Sequence, residues 1–139
     1  MAESQAGAAK ARPRPLSPHL HIYRWTITMA ASVAHRLSGL GLAAGTLLLT
    51  CWLLTLAGGE QSYTALQSFI GSGFGRLLLL GFTWSLMFHM SNGIRHLFWD
   101  TGRGFDIPTA NKTALIAFAG SVILTAGVWW LGYMVRGAL

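Results

Sequence analysis

Three long runs of apolar residues dominate the chain and indicate its architecture. The first extends from about residue 27 to 57, the second from about 77 to 99, and the third from about 113 to 135. Each run is close to or longer than the ~20 residues that an α-helix needs to cross the hydrocarbon core of a bilayer. The pattern predicts an all-α integral membrane protein with three transmembrane helices. For residues 58–75 the sequence predicts a loop and assigns no chemistry to it.

The segment before the first apolar run divides into two parts. Residues 1–13 have a polar, small-residue composition without an apolar period and predict a disordered tail. Residues 14–26 contain two prolines, which oppose a regular helix, together with Tyr23 and Trp25, which suit a membrane interface. We therefore expect a single membrane-anchor domain over residues 14–139, with residues 14–26 lying along the membrane surface.

Composition supports a membrane protein and argues against a nucleic-acid partner. Of the 139 residues, 53% are hydrophobic and only 10% are charged, whereas about a quarter of the residues of a soluble domain are charged. The net charge is +6, but the basic residues lie at the ends of the apolar runs and form no patch with interleaved aromatic residues. The expected surroundings are a lipid bilayer. The single cysteine, Cys51, excludes a disulfide within the chain.

The distribution of basic residues predicts the orientation in the membrane. Arg76 and Arg136 are the only basic residues in or beside the segments on one side. Six lie on the other side: Lys10, Arg12, Arg14, Arg24, Arg103 and Lys112. Because cytoplasmic segments carry the excess of Lys and Arg, the N-terminus is expected on the cytoplasmic or matrix side.

The second apolar run ends in a group of ionisable residues, which are costly inside a membrane and usually functional. His89 and His96 are seven residues apart, so they share one helix face about 10 Å apart along the axis. Gly93 lies between them and offers a bare backbone surface. This combination suits a flat, metal-containing group such as haem, with His89 as the most deeply placed ligand. The alternative is that both histidines only form hydrogen bonds between helices.

A second polar group, at the start of the first run, contains Ser32, His35 and Arg36. The topology predicts that it shares one membrane leaflet with Arg95 and His96. For a haem ligated by two histidines, His35 or another subunit could supply the second imidazole. A hydroxyl and a guanidinium, from Ser32 and Arg36, could bind a quinone carbonyl. Alternatively, Arg36 extends to the membrane surface and Ser32 bonds back to its own helix.

Three motifs together resemble the cytochrome b anchor subunit of succinate dehydrogenase, that is, succinate:ubiquinone oxidoreductase. The resemblance covers most of the chain from Arg14 and includes the three-helix layout. The motifs are Arg14-Pro-Leu-Ser-Pro-His-Leu-x-Ile-Tyr23, Ser32-x-x-His-Arg-Leu-Ser-Gly39 and His89-x-x-Asn-Gly-Ile-Arg-His-Leu-x-Trp-Asp100.

The resemblance implies specific roles for the residues of these motifs. His89 matches the axial ligand of haem b, and the second ligand comes from the second membrane-anchor subunit. Ser32 and Arg36 match residues of the ubiquinone site. His35 and Arg36 match groups near the haem propionates, and His96 is a motif histidine close to the same region. Asp100 closes the motif and has no assigned role.

The resemblance also implies a function and partners. Electrons from succinate pass through flavin and iron–sulfur centres in the flavoprotein and iron–sulfur subunits and reduce ubiquinone to ubiquinol at the membrane. This chain has neither a cysteine framework for a cluster nor a dinucleotide fingerprint, so alone it could not oxidise succinate. Only thirteen residues precede the first motif, which favours a bacterial inner membrane over the mitochondrial one.

Two other functions are compatible with the pattern. One is a non-redox membrane scaffold that docks soluble partners and uses its histidines structurally. The other is a stand-alone haem electron carrier in which His35 and His89 both ligate the iron within one chain.

Overall fold

The fold is a bundle of helices with one short additional helix. The computed structural model describes residues 23–138. The predictions for residues 1–13 and 14–22 lie outside these described residues. The helices of the described part are α1 (Ile27–Ala57), α2 (Glu60–Gly71), α3 (Gly73–Asp100) and α4 (Ile107–Ala138). Of these, α1, α3 and α4 are long and apolar enough to cross a membrane. The predicted fold class, with three transmembrane helices, is confirmed.

The short helix α2 lies where the sequence predicts a loop. Its 12 residues mix polar and apolar side chains and are too few to form a membrane-spanning run, so hydrophobicity alone does not indicate it. Glu60 in its first turn is favourable at the positive end of the helix dipole. The turn before it uses Gly59 at φ +99°, a conformation that other residues rarely adopt. At the other end, a side chain at Gly75 would overlap the backbone of Ile70, so glycine permits the tight α2–α3 corner.

Polar caps make two membrane helices longer than their apolar runs. Helix α3 begins at Gly73 rather than near residue 77, because the Ser72 hydroxyl accepts a hydrogen bond of 3.1 Å from the Gly75 N–H. Helix α4 begins at Ile107 rather than near residue 113, because the Asp106 carboxylate accepts one of 3.0 Å from the Thr109 N–H. These helical turns lie outside the hydrophobic segment, so hydropathy does not identify them.

Helices α1 and α3 approach closely because small residues line their contact. A side chain at Gly41 would meet the Ser85 hydroxyl at 2.8 Å, and one at Gly45 would overlap the Phe82 ring. Both glycines therefore face α3, as the small-xxx-small pattern of membrane helices predicts. This close contact brings the polar start of α1 against the last turns of α3.

Helix α3 also packs against α4, and this contact contains the core of the bundle. Phe88 is fully buried and its ring lies 4.7 Å from that of Phe118, centroid to centroid. Phe88 packs with Ala31 of α1 and Ala114 of α4. Further small residues of α4 are also buried: Ala117, Ser121 and Thr125. Most large aliphatic side chains, in contrast, are exposed on the outer faces, where lipid chains would cover them. Helix α3 is thus central and presents one face to α1 and another to α4.

Candidate functional site

Three histidines meet where the start of α1 lies against the end of α3. The rings of His35 and His89 stack at a centroid distance of 3.9 Å with an interplanar angle of 16°. His96 lies one contact further along, with its ring centroid 5.3 Å from that of His35. Among the described residues, no group of three His, Cys, Asp or Glu side chains is arranged to hold a bare metal ion. The cluster instead offers single imidazoles, of the kind that ligate a metal already held by a macrocycle.

The hydrogen bonds of His89 determine which of its nitrogens is free. The Ser38 hydroxyl donates to the His35 carbonyl oxygen at 2.8 Å, so this hydroxyl can only accept from a third group. His89 Nδ1 lies 3.1 Å from that hydroxyl and 3.3 Å from the same carbonyl oxygen. Because both neighbours are then acceptors, we assign the proton to Nδ1. Nε2 therefore carries the lone pair, and this is the nitrogen available to a metal.

Two glycines define the space around the His89 ring. A side chain at Gly39 would lie 3.3 Å from His89 Cε1, so this glycine on α1 lets the ring fit between the helices. Gly93 is different, because a side chain there would meet nothing within 4 Å. One turn from His89, the surface of α3 is therefore open. The sequence indicates Gly39, with Gly41 and Gly45, only as a glycine that leaves the surface of α1 thin, and its contact with the His89 ring is seen only in the structure.

The remaining predicted site residues lie around this cluster. His35 Nδ1 is buried and has no hydrogen-bond partner in the described part of the chain. An unpaired buried nitrogen costs folding free energy unless a group outside this chain forms a hydrogen bond with it. Ser32 and Arg36 are exposed on α1 and lie one turn apart, as their i, i+4 spacing requires. Their side chains are accessible to a ligand or a neighbouring subunit.

Arg95 does not belong to this cluster, although it lies in the same last turns of α3 as His96. It is six residues from His89, which places it about 120° away around the helix. Its guanidinium donates to Thr113 Oγ1 at 3.0 Å, to the Ala110 carbonyl at 3.1 Å and to Asn92 Oδ1 at 3.3 Å. It also lies 3.9 Å above the Trp99 ring, a cation–π contact. Arg95 therefore ties α3 to α4 and does not line the histidine site.

The stacking of His35 on His89 bears on how a haem could be ligated. Imidazole lone pairs lie in the ring plane, so two stacked rings direct them side by side and not toward a common iron between them. Rings 3.9 Å apart also leave no room for a macrocycle. The arrangement therefore disfavours the stand-alone carrier in which His35 and His89 ligate one iron.

The residues present fit a haem with one ligand from this chain. His89 has a fixed ring with a free Nε2, and the adjoining surface at Gly93 is open. The unpaired Nδ1 of His35 offers a polar partner beside it. Arg36, which follows His35 in the chain and is exposed, offers a cation for carboxylate groups.

Comparison with known proteins defines the class to which this fold and site belong. Residues 10–128 match the succinate dehydrogenase/fumarate reductase transmembrane subunit family, and the chain belongs to that family. Within it, the chain groups with the cytochrome b subunits of succinate dehydrogenase. The family resemblance predicted from the three motifs is thus confirmed.

Both bacterial and mitochondrial proteins are among its relatives. The chain is 38% identical over 111 residues to the succinate dehydrogenase cytochrome b556 subunit of Paracoccus denitrificans, covering 80% of this chain and 85% of the relative. It is 38% identical over 116 residues to the cytochrome b556 subunit of Rickettsia prowazekii, covering 84% and 90%. It is 38% identical over 117 residues to the mitochondrial cytochrome b560 subunit of Sus scrofa, covering 83% and 69%.

Proposed function

We propose that this chain binds haem b through His89 Nε2 and contributes to a site where electrons from succinate reduce ubiquinone to ubiquinol. The observation that carries the proposal is that two acceptors, the Ser38 hydroxyl and the His35 carbonyl oxygen, lie beside His89 Nδ1. They favour the tautomer with the proton on Nδ1, in which Nε2 is the free ligand nitrogen. A bound haem b supplies a one-electron carrier inside the membrane. Ser38 and the His35 carbonyl hold the ligand ring, and Gly39 and Gly93 leave space around it.

The other members of the cluster have supporting roles in this proposal. His35 and Arg36 pair with the haem propionates, and His96 lines the same pocket. Because the stacked His35 and His89 rings cannot hold one iron between them, the other ligand of a bound haem would come from another chain, the second membrane-anchor subunit. The name "cytochrome b556 subunit" carried by the Paracoccus relative supports a haem of the b type.

Ser32 and Arg36 form this chain's part of the ubiquinone site. The hydroxyl of Ser32 donates a hydrogen bond to one quinone carbonyl, and the guanidinium of Arg36 stabilises negative charge on the quinone oxygen as it is reduced. Both side chains are exposed, which supports a site completed by other subunits. Those subunits are the flavoprotein, the iron–sulfur protein and the second anchor, in the inner membrane of a bacterium or a mitochondrion.

The test separates quinone reduction from succinate oxidation. The variants Ser32→Ala and Arg36→Leu are assayed in the purified complex with ubiquinone and, separately, with an artificial dye that accepts electrons before the membrane. We expect quinone reduction to fall about 10- to 100-fold, since charge-assisted hydrogen bonds contribute about 1.5–3 kcal/mol, while dye reduction is unchanged. Leu40→Ala, on an exposed apolar position of the same helix, is the matched control.

The competing function is a non-redox scaffold that only docks soluble partners. It predicts that both variants reduce ubiquinone at the wild-type rate, because the two side chains then contact no substrate. Equal loss of dye and quinone reduction would instead indicate failed assembly, and copurification of the subunits detects that case directly.

A further inference from the structure

A cavity of 710 Å³ lies at the end of the bundle opposite the histidine cluster, between α2, α3 and α4. Its lining includes Arg76 at the start of α3 and Arg136 at the end of α4. These are the two basic residues that the sequence places on the side of the membrane with fewer basic residues. We name this space the two-arginine cavity.

The charge of the two-arginine cavity is not balanced by its own lining. Among the residues that the structure describes, no Asp or Glu lines the wall, so this lining leaves the two guanidinium groups without a counter-charge. Arg76 also lies in the first turn of α3, where a cation is unfavourable against the positive end of the helix dipole. Two cations held together at such a position favour an anion.

The cavity changes character with depth. From Arg76 the wall continues along α3 to Leu79 and Thr83, and from Arg136 it continues along α4 to Trp129 and Val128. Seven residues separate each arginine from the deepest polar group of its helix, about 10 Å along the axis. At this depth the Trp129 indole N–H donates to Thr83 Oγ1 at 3.3 Å, so these two polar groups are paired with each other. A cationic rim therefore leads to a largely apolar interior.

We propose that the two-arginine cavity binds an anionic phospholipid. The phosphate contacts Arg76 and Arg136 at the rim, and part of an acyl chain follows the apolar wall inward. Tyr133 and Gln67, which also line the cavity, offer hydroxyl and amide groups to the glycerol and ester oxygens. The volume lies within the roughly 300–1,000 Å³ of small-molecule sites, so it holds a headgroup and a chain segment and not a whole lipid.

The occupant is a lipid and not a soluble anion because the charged rim and the apolar interior form one continuous space. Inorganic phosphate would use only the rim and leave the interior wall uncovered. A zwitterionic lipid would bring its own cation to a rim that already holds two. Anionic phospholipid matches the charge and the apolar depth together.

Native mass spectrometry of the complex purified from membranes tests the proposal, with added phosphatidylglycerol, phosphatidylcholine or inorganic phosphate as probes. We expect the wild type to retain phosphatidylglycerol in preference to phosphatidylcholine. The double variant Arg76→Gln/Arg136→Gln should bind phosphatidylglycerol at least about tenfold more weakly, from the loss of two charge-assisted hydrogen bonds. Arg76→Lys/Arg136→Lys should retain most of the binding, because it keeps both charges. Arg103→Gln, in the exposed loop between α3 and α4, should bind as the wild type does.

Three results would overturn the proposal. The first is equal retention of phosphatidylglycerol by wild type and the Gln double variant. The second is retention of inorganic phosphate to the same extent as phosphatidylglycerol, which would indicate a site for a free anion. The third is loss of a copurifying subunit from the Gln double variant with unchanged lipid binding, which would mean that an acidic side chain of that subunit pairs with the arginines.

Discussion

The His35 and His89 rings stack at a centroid distance of 3.9 Å across the α1–α3 contact. One ring face of His89 is thus covered by His35, while its Nδ1 is held by Ser38 and by the carbonyl of His35 itself. The histidine that we propose as the iron ligand is therefore oriented almost entirely by one turn of α1. This contact brings residues from two motifs that are far apart in the sequence into one cluster.

Replacing Ser38 by Ala should weaken haem binding without unfolding the bundle. The change removes the hydroxyl that accepts from His89 Nδ1, but the carbonyl of His35 still accepts, so we expect about a tenfold loss of haem affinity, at the lower end for such supporting partners. Haem content and reduction potential of the purified complex provide the measurement. Ser91→Ala is the matched control, because Ser91 only donates to the Met87 carbonyl of its own helix. Equal haem loss in both variants would contradict the role of Ser38.

Gly93→Ala should lower haem content although nothing in the chain itself resists the added methyl group. A side chain at Gly93 meets no atom within 4 Å, and Ala is favoured over Gly in a helix by about 1 kcal/mol, so thermal stability without haem should not fall. If haem lies against this surface, its occupancy should drop severalfold in the optical spectrum. Gly120→Ala on α4, with equally open surroundings, should have no effect on haem. Full haem content in Gly93→Ala would show that no ring approaches there.

Arg95→Met should destabilise the bundle. Any change in haem binding should be a consequence of this lower stability. The variant loses hydrogen bonds to Thr113, Ala110 and Asn92, and we expect a cost of about 2–4 kcal/mol because the buried partners are left unpaired. Thermal unfolding in detergent measures this cost, with Arg103→Gln in the exposed loop as the control. Wild-type stability in Arg95→Met would mean that the α3–α4 contact does not depend on this network.

The start of α4 should loosen in acid. Hydrogen bonding by Thr109, through its side chain and its backbone N–H, lowers the pKa of Asp106. A carboxylate with a lowered pKa stabilises the folded helix end above its unfolded pKa, and this contribution is lost as the pH falls through the folded pKa. Hydrogen exchange at the Thr109 amide, corrected for its intrinsic rate, should therefore rise at low pH. Asp106→Ala should raise it already at neutral pH, and an unchanged rate in that variant would exclude the cap.

The membrane helices and the polar end of the bundle could be predicted because they depend on long, simple signals. Apolar runs near 20 residues indicate spans whatever their partners, and the i, i+7 spacing of His89 and His96 places them on one face. The loop predicted over residues 58–75 is wrong for α2, because the short, mixed sequence of this helix carries no such signal. The extra turns at both capped helix starts were missed for the same reason.

The detailed contacts of the site could not be predicted, because they depend on how two helices rotate against each other. Ser38 became important only when α1 placed it against His89. Topology places Arg95 and His96 in one leaflet but not on one helix face, because Arg95 is rotated by about 120° from His89 and contacts α4. Gly39 carries no signal of its own, since the need for a glycine there comes from the ring on α3.

The central claim is that His89 ligates haem iron, and the optical spectrum of the purified complex tests it most directly. The reduced-minus-oxidised difference spectrum of the wild type should contain the bands of a low-spin b-type haem. His89→Ala should abolish these bands, and Met90→Leu, on the exposed neighbouring position of α3, should retain them in full. A low-spin b-type spectrum of wild-type intensity in His89→Ala would contradict the assignment.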